Sequence, residues 1–259
     1  MSTNRQIVMI GAGNAATCLA NAYYHNKSTI VQVYSRTMQS ANELALQVSA
    51  EATDNLKKLV QGKYTYILAL PDDVIVKVLP KINLKEGILI HCSGSLPMDI
   101  LKNSAEKYGV IYPLISMNKS DKLDFNDVPF CVEGCDMGVA LTLKIMVYYL
   151  SKKAYIMDSE QRNVVHLAAV FANNFPNFLY GIAKEILDKK NIPFDVLKPL
   201  ICETAMNIMT VDPAQRQTGP AARNDKKIIE NHLSLLADFP EYKNLYQLFS
   251  KIIMAKGKK

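Results

Sequence analysis

The sequence predicts an α/β fold: a doubly wound parallel sheet followed by an all-helical domain. Three observations carry this. Short aliphatic and β-branched runs alternate with helix-length segments from residue 6 to about residue 157. The first run, Gln6-Ile7-Val8-Met9-Ile10, opens directly into Gly11-Ala12-Gly13-Asn14-Ala15-Ala16. After Asp158 the strand pattern stops and the rest reads as helices. The expected division is therefore 1–158, a dinucleotide-binding domain, and 159–259, a helical substrate and dimerisation domain.

The glycine turn has the Gly-x-Gly-x-x-Ala form of a Rossmann strand–turn–helix. Gly11 permits the tight turn, Gly13 presents no side chain to a pyrophosphate, and Ala16 lets the helix pack close to the strand. The helix, read over residues 17–24, offers N–H groups and a partial positive charge to phosphates. The second strand, 30–34, ends in Ser35-Arg36-Thr37. No carboxylate stands there for the ribose hydroxyls of NAD. Arg36 can pair with a 2′-phosphate, and Ser35 and Thr37 can donate hydrogen bonds to it, which predicts NADP.

A helix is expected over 38–48, then a connector over 51–61 with a short strand and a helical turn. Residues 64–70 read as a strand, and Pro71-Asp72-Asp73 breaks it and caps a helix from 74 to about 80. The strand 87–91 ends in the polar loop Cys92-Ser93-Gly94-Ser95. A helix is expected from Leu96-Pro97 to about residue 108, then a strand over 110–112 closed by Pro113. A polar loop (116–128), a strand (129–133), an apolar helix (138–150) and a short strand (154–157) complete the sheet domain. Ligands bind beyond the C-terminal ends of such strands. The glycine turn, Ser35 to Thr37, Leu70 to Asp72, His91 to Ser95 and Tyr112 to Met117 are thus expected on one rim, with Leu70, Pro71 and Ser93 along the cofactor.

Other classes are disfavoured. The chain has 259 residues and 49% hydrophobic content, enough for a sizeable core. Its formal charge of +6 is spread over small clusters without interleaved aromatics, so no nucleic-acid partner is expected. No apolar run is long enough for a membrane span, and Asn4-Arg5 leads straight into a strand rather than a signal peptide. The five cysteines are scattered; Cys131 and Cys135 have no second Cys/His pair, so no metal site is expected, and a cytoplasmic setting fits.

Helices are expected over 159–190, 195–210, 225–237 and 240–254. In the first, His166, Val170, Asn173 and Asn177 follow helical spacing and share one face. Two readings stand: these polar groups bond to other helices, or they line a cleft against the nucleotide domain. The stretch Asp212 to Asp225 reads as a long irregular loop. Thr218-Gly219-Pro220 can present polar groups to a substrate, and Arg223 can bind a carboxylate or form a surface ion pair.

On these residues the chain resembles a bacterial family described as Rossmann-like with a C-terminal domain of unknown function. Its members are often labelled NADP oxidoreductase, deazaflavin-coenzyme-dependent. The resemblance covers nearly the whole chain. It rests on the glycine turn, Tyr34-Ser35-Arg36-Thr37, His91 to Ser95 and Tyr112-Pro113-Leu114, and most distinctively on Arg162 with His166 to Phe175 and on Thr218 to Arg223. Many members continue Gln-Thr-Phe after Tyr-Pro-Leu; this chain has Ile115-Ser116-Met117, so no glutamine role carries over. More distantly, the layout resembles pyrroline-5-carboxylate reductase and the β-hydroxyacid dehydrogenases, with a helical part like the C-terminal domain of 6-phosphogluconate dehydrogenase. That resemblance implies a homodimer through the helical domain and catalytic groups on the first long helix after the boundary. The hydroxyacid dehydrogenases carry a Lys and an Asn there; Lys184 is too far along, and His166 takes the earlier place.

The function expected is NADPH-dependent hydride transfer to or from a small C=O or C=N substrate between the domains. His166 is the expected proton donor. Asn173 would orient the substrate, and Thr218 and Arg223 would close the site. The alternative is an NADP-binding sensor or scaffold without turnover.

Overall fold

The computed structural model describes residues 5–256. Eight strands form one sheet: β1 Gln6–Ile10, β2 Thr29–Tyr34, β3 Glu51–Thr53, β4 Thr65–Leu68, β5 Ile88–His91, β6 Tyr108–Pro113, β7 Phe130–Gly134 and β8 Ala154–Ile156. Their order across the sheet is β3-β2-β1-β4-β5-β6-β7-β8. All pairs are parallel except β6 with β7, which run antiparallel because the 114–129 loop turns the chain back at the C-terminal edge. The chain leaves β1 for β2 on one side and returns to β4 on the other. That reversal is the switch point at which open α/β sheets bind ligands.

Strand side chains alternate between two buried layers, as a period of two requires. Ile7, Met9, Ile67, Ile90 and Ile111 pack on one face with Leu19 and Leu143. Val8, Ile10, Tyr66, Leu68 and Leu89 pack on the other with Ile75 and Leu101. The covering helices are α1 Asn14–His25, α2 Met38–Gln47, α3 Asp72–Val78 and α4 Met137–Tyr148.

Three local expectations change. Helix α1 starts at Asn14, inside the glycine turn, rather than at residue 17. Helix α3 starts at Asp72 after Pro71 with no side-chain cap, so Asp72 and Asp73 sit in its first turn, facing its positive end. The helix expected after Pro97 is a single 3₁₀ turn, Met98–Leu101. It ends in a turn at 102–104, where the Ser104 hydroxyl donates to the Leu79 carbonyl at 3.1 Å and Ala105 bridges to Leu84, so the helix cannot continue.

By its contacts the chain divides into two units, Met1–Ala172 and Asn173–Lys259. Helix α5, Ser159–Ala169, belongs to the first, although the last strand ends at Ile156. It opens with a capping box in which Asp158 and Gln161 satisfy each other's backbone N–H groups. A π-helical turn follows over Val170–Asn174. A π turn is wider than an α turn, so the 3.6-residue spacing read over this stretch is interrupted at Val170–Asn174. The second unit contains α6 Phe175–Asp188, α7 Lys198–Asn207, α8 Lys226–Leu235 and α9 Pro240–Lys256.

Candidate active site

The two glycines of the first turn are there for different reasons. Gly11 has φ +129°, and a Cβ on it would lie 2.4 Å from the Ala69 carbonyl oxygen. The fold itself requires glycine at that point. Gly13 has φ −83° and ψ −169°, and a Cβ there would meet nothing within 4 Å. No atom of the protein excludes a side chain at Gly13, so the space it leaves suits a ligand. Gly13 is also the N-cap of α1, with no side-chain cap and no acidic residue in the first turn. The N–H groups of that turn and their positive dipole end are therefore available to an anion. Ala12 and Ala16 are buried beside them. These features fit a bound pyrophosphate.

At the end of β2 the Ser35 N–H donates to the Thr53 carbonyl at 3.1 Å, and Ser35 is half-buried. Arg36 is exposed and makes no ion pair with another described residue. Thr37 is already employed as the N-cap of α2, accepting from the Ser40 N–H at 3.4 Å. Tyr34 beside them is raised in pKa by burial and by Asp54, while Arg36 acts in the opposite direction. A carboxylate thus stands at the end of β3 rather than of β2.

Gly13, Asn14 and Ala15 line one open recess with Leu70, Pro71 and Ser93, joined by Ala69, Asp72 and Cys92. The structure therefore brings together three segments that lie far apart in sequence. Burial pushes the Cys92 thiol up to about 12, so it stays protonated and is no nucleophile.

The loop after β5 is knit internally. The Ser93 N–H donates to His91 Nδ1 at 3.2 Å, and the Ser93 hydroxyl accepts from the N–H groups of Ser95 (3.1 Å) and Leu96 (3.0 Å). The Ser95 hydroxyl donates to Asp72. His91 is fully buried; burial pushes its pKa down to about 4, with the Arg162 guanidinium adding to the effect. It is thus neutral, with its proton on Nε2, because Nδ1 accepts. Arg162, also fully buried, donates to Glu133, to the Leu96 carbonyl and to the Ser159 hydroxyl. Ser159 in turn donates to Glu133 and accepts from the Met98 N–H at 3.0 Å. This network fastens α5 to β7 and to the loop after β5.

One turn beyond Arg162 on α5 comes His166. Its Nδ1 lies 2.9 Å from the hydroxyl of Tyr112, near the C-terminal end of β6. The two rings meet edge to face, with centroids 5.7 Å apart. Gly94 lies against both: a Cβ there would be 2.7 Å from His166 Nδ1 and 2.9 Å from Tyr112 Cζ. The tetrapeptide that lines the recess through Ser93 thus touches His166 through Gly94. His91, Gly94 and Tyr112 fall on the rim of strand ends expected from the sequence, but with no role assigned to any of them; Glu133 falls outside it. A buried arginine one turn before a histidine was the available signal for the network; nothing local marked Tyr112 as a partner.

Asn173, Thr218 and Arg223 belong to the second unit. Asn173 lies in the π turn. Thr218 and Arg223 flank a compact turn in which the Asp225 N–H donates to the Pro220 carbonyl at 2.9 Å and Gly219 has φ +100°. Both side chains are exposed, and Arg223 makes no ion pair with another described residue. Asp225 caps α8, accepting from the Ile228 N–H.

Residues 6–94 match the family model "NADP oxidoreductase coenzyme F420-dependent", and residues 128–253 match "domain of unknown function (DUF2520)". A Bacteroides fragilis protein provisionally named an NADP oxidoreductase superposes with a TM-score of 0.91 at 43% identity, over 98% of this chain and 99% of its own. The chain belongs to this family of NADP oxidoreductase-like proteins with a DUF2520 domain. A Thermotoga maritima protein gives a TM-score of 0.80 at 24% identity, covering 98% of this chain and all (100%) of its own. An imine reductase from Myxococcus stipitatus, solved with NADP⁺, shares the fold at 14% identity with a TM-score of 0.68, covering 98% of this chain and 94% of its own. No curated protein sequence matches the chain. Family membership makes it an NADP-oxidoreductase-type protein with a Rossmann-like N-terminal part and a helical C-terminal region. Among the described residues, no helix is long and apolar enough to cross a membrane.

Proposed function

We propose that the protein is an NADPH-dependent reductase of a small C=N or C=O compound, with His166 as proton donor. The observation that carries this reading is the loop Cys92-Ser93-Gly94-Ser95. Its Ser93 lines the recess at the glycine turn, and its Gly94 lies against the His166 ring. One short segment thereby couples a cofactor subsite to an imidazole, the side chain most often used for proton transfer.

When bound, NADPH supplies hydride to the substrate carbon. The chain's residues do the rest. The N–H groups at the start of α1 hold the pyrophosphate. Arg36, helped by Ser35 and Thr37, binds the 2′-phosphate. Leu70 and Pro71 pack along the cofactor, and His166 delivers a proton to the substrate nitrogen or oxygen. Asn173 orients that atom, while Thr218 and Arg223 close the site around an anionic substrate. The C=N option is supported by the imine reductase and by a reductive aminase from Aspergillus terreus, which share the fold. We assign residues 1–158 to the cofactor and residues 159–259 to substrate binding and dimerisation, in a cytoplasmic homodimer. Exposed Phe178, Leu200, Met206, Met209 and Leu248 supply apolar surface for that dimer.

The test is NADPH oxidation followed by absorbance, with cyclic imines, keto acids and a deazaflavin as acceptors. His166→Ala is expected to lower kcat by about 10²- to 10⁴-fold with NADPH affinity preserved. Arg36→Asp is expected to weaken NADPH by about 10- to 100-fold and NADH little. Equal loss for the two nucleotides refutes NADP, and full activity in His166→Ala refutes the proton donor.

A further inference from the structure

A histidine that serves a substrate through one ring nitrogen needs the other held. Tyr112 Oη occupies Nδ1 of His166 at 2.9 Å. Gly94 closes over the same atom, leaving no room there even for a methyl group. Nδ1 is therefore shut away from any substrate, and Nε2 is the nitrogen left to meet one.

We propose that Tyr112 is the positioning residue of His166: its hydroxyl holds Nδ1 through both protonation states, so that Nε2 alone exchanges a proton with the C=N or C=O substrate. The proposal rests on the reading of His166 as proton donor and deepens it. A hydroxyl suits the task because it both accepts and donates. With His166 protonated, Nδ1–H donates to Tyr112 Oη and Nε2–H faces the substrate. In the reduction, the Nε2–H bond breaks and an N–H or O–H bond forms on the substrate. His166 becomes neutral with Nδ1–H still bonded to Oη, so the ring neither flips nor changes partner, and solvent restores the proton at Nε2. Tyr112 is not the acid itself. Burial raises its pKa, which keeps the phenol neutral. Gly94 belongs to the same device, because any side chain there would push between the two rings.

The second unit holds an internal comparison. His232 Nδ1 lies 2.9 Å from Tyr246 Oη, with centroids 5.7 Å apart and an interplanar angle of 78°, against 80° for Tyr112 and His166. That pair ties α8 to α9, and among the described residues no glycine closes over it. A His–Tyr pair by itself is thus a structural fastening. Position separates the two: Tyr112 stands at the C-terminal edge of the sheet, and Gly94 belongs to the loop that lines the recess. The ionisable groups on the surrounding elements include His91 on β5, Glu133 and Cys131 on β7 and Arg162 on α5; Cys131 lies opposite Tyr112 in the sheet, and burial raises its thiol pKa. Arg162 and Glu133 are paired, and His91 is neutral near pH 7.

The experiment is an NMR titration of the histidine ring signals in the full chain, alone and with saturating NADPH, with His166→Gln identifying the His166 signal. Hydrogen bonds to charged groups are about twice as strong as neutral ones. Loss of Oη therefore hurts the imidazolium more than the neutral ring. Tyr112→Phe is expected to lower the His166 pKa by about half a unit to one unit and to leave the His232 signal and NADPH affinity unchanged. Tyr246→Phe should move His232 and leave His166 in place. Gly94→Ala is a second probe, with a fall in the His166 pKa expected as its Cβ forces Nδ1 and Oη apart. A His166 titration unchanged in both Tyr112→Phe and Gly94→Ala overturns the proposal. The titration needs no substrate, so this outcome is distinct from failure of the functional reading, which shows instead as undiminished turnover in His166→Ala.

Discussion

Exchanging each glycine of the first turn for alanine separates a need of the fold from a need of the ligand. At Gly13 the backbone, φ −83° and ψ −169°, is open to any residue, and apart from its chain neighbours no described atom lies within 4 Å of the added methyl. Two small effects oppose each other: alanine is a poorer N-cap than glycine, and it loses less freedom on folding, worth about 0.4–1 kcal/mol. Stability should change by no more than about 0.5 kcal/mol, or roughly 2 °C in Tm for a chain of this size. The methyl would instead occupy the space in front of the α1 N-terminus. Displacing the pyrophosphate there loses at least one charge-assisted hydrogen bond, about 1.5–3 kcal/mol, which is about 10- to 150-fold in Kd. At Gly11 the balance reverses. Its φ of +129° is essentially closed to alanine, and the methyl would lie 2.4 Å from the Ala69 oxygen. Backbone strain of about 1–3 kcal/mol and the forced shift of β4 should together exceed about 3 kcal/mol, lowering Tm by roughly 6–12 °C. Thermal unfolding and NADPH fluorescence titration measure the two effects. A Gly13→Ala protein that binds NADPH as the wild type does, or that loses as much stability as Gly11→Ala, refutes the reasoning.

Two further predictions concern the buried groups around α5. Arg162→Met leaves Glu133 without its counter-charge in a site where the two side chains are 1% and 12% exposed; the urea midpoint should fall by the equivalent of about 3–5 kcal/mol, and adding Glu133→Gln should recover part of it. A single-variant loss below about 1 kcal/mol would show that the pair does not hold the helix. His91 has a folded pKa of about 4 against an ordinary value of 6.5. Between these values the unfolded chain binds the extra proton, so stability is fully present above about pH 6.5 and declines as pH falls toward 4, by about 3 kcal/mol. His91→Phe should flatten that part of the stability–pH curve; an unchanged slope would assign the acid sensitivity to other groups.

Much of the fold was legible because its signals are local. The Gly11–Ala16 turn and the aliphatic runs of β1, β4 and β5 depend on neighbours within a few residues, and the structure has them where expected. The helix after Pro97 failed for the opposite reason. Its sequence tolerates a helix, but Leu84 and Leu79, far back in the chain, claim Ala105 and Ser104. The spacing that links His166 to Asn173 assumes an uninterrupted α-helix, and the structure has a π turn at Val170–Asn174, which no local signal announced.

The class of fold, the glycine turn after β1, the basic residue at the end of β2 and the histidine on the first long helix could all be read before any tertiary contact was known. Each is written in a contiguous stretch whose chemistry can be read without knowing what surrounds it. That Gly11 serves the fold while Gly13 faces open space, that Arg162 locks α5 to Glu133, and that Tyr112 meets Nδ1 of His166 emerged from the folded chain alone. These are contacts between residues 29 to 58 positions apart. The sheet brings such partners together through strand order and register, and no local periodicity records which strand end will meet which helix.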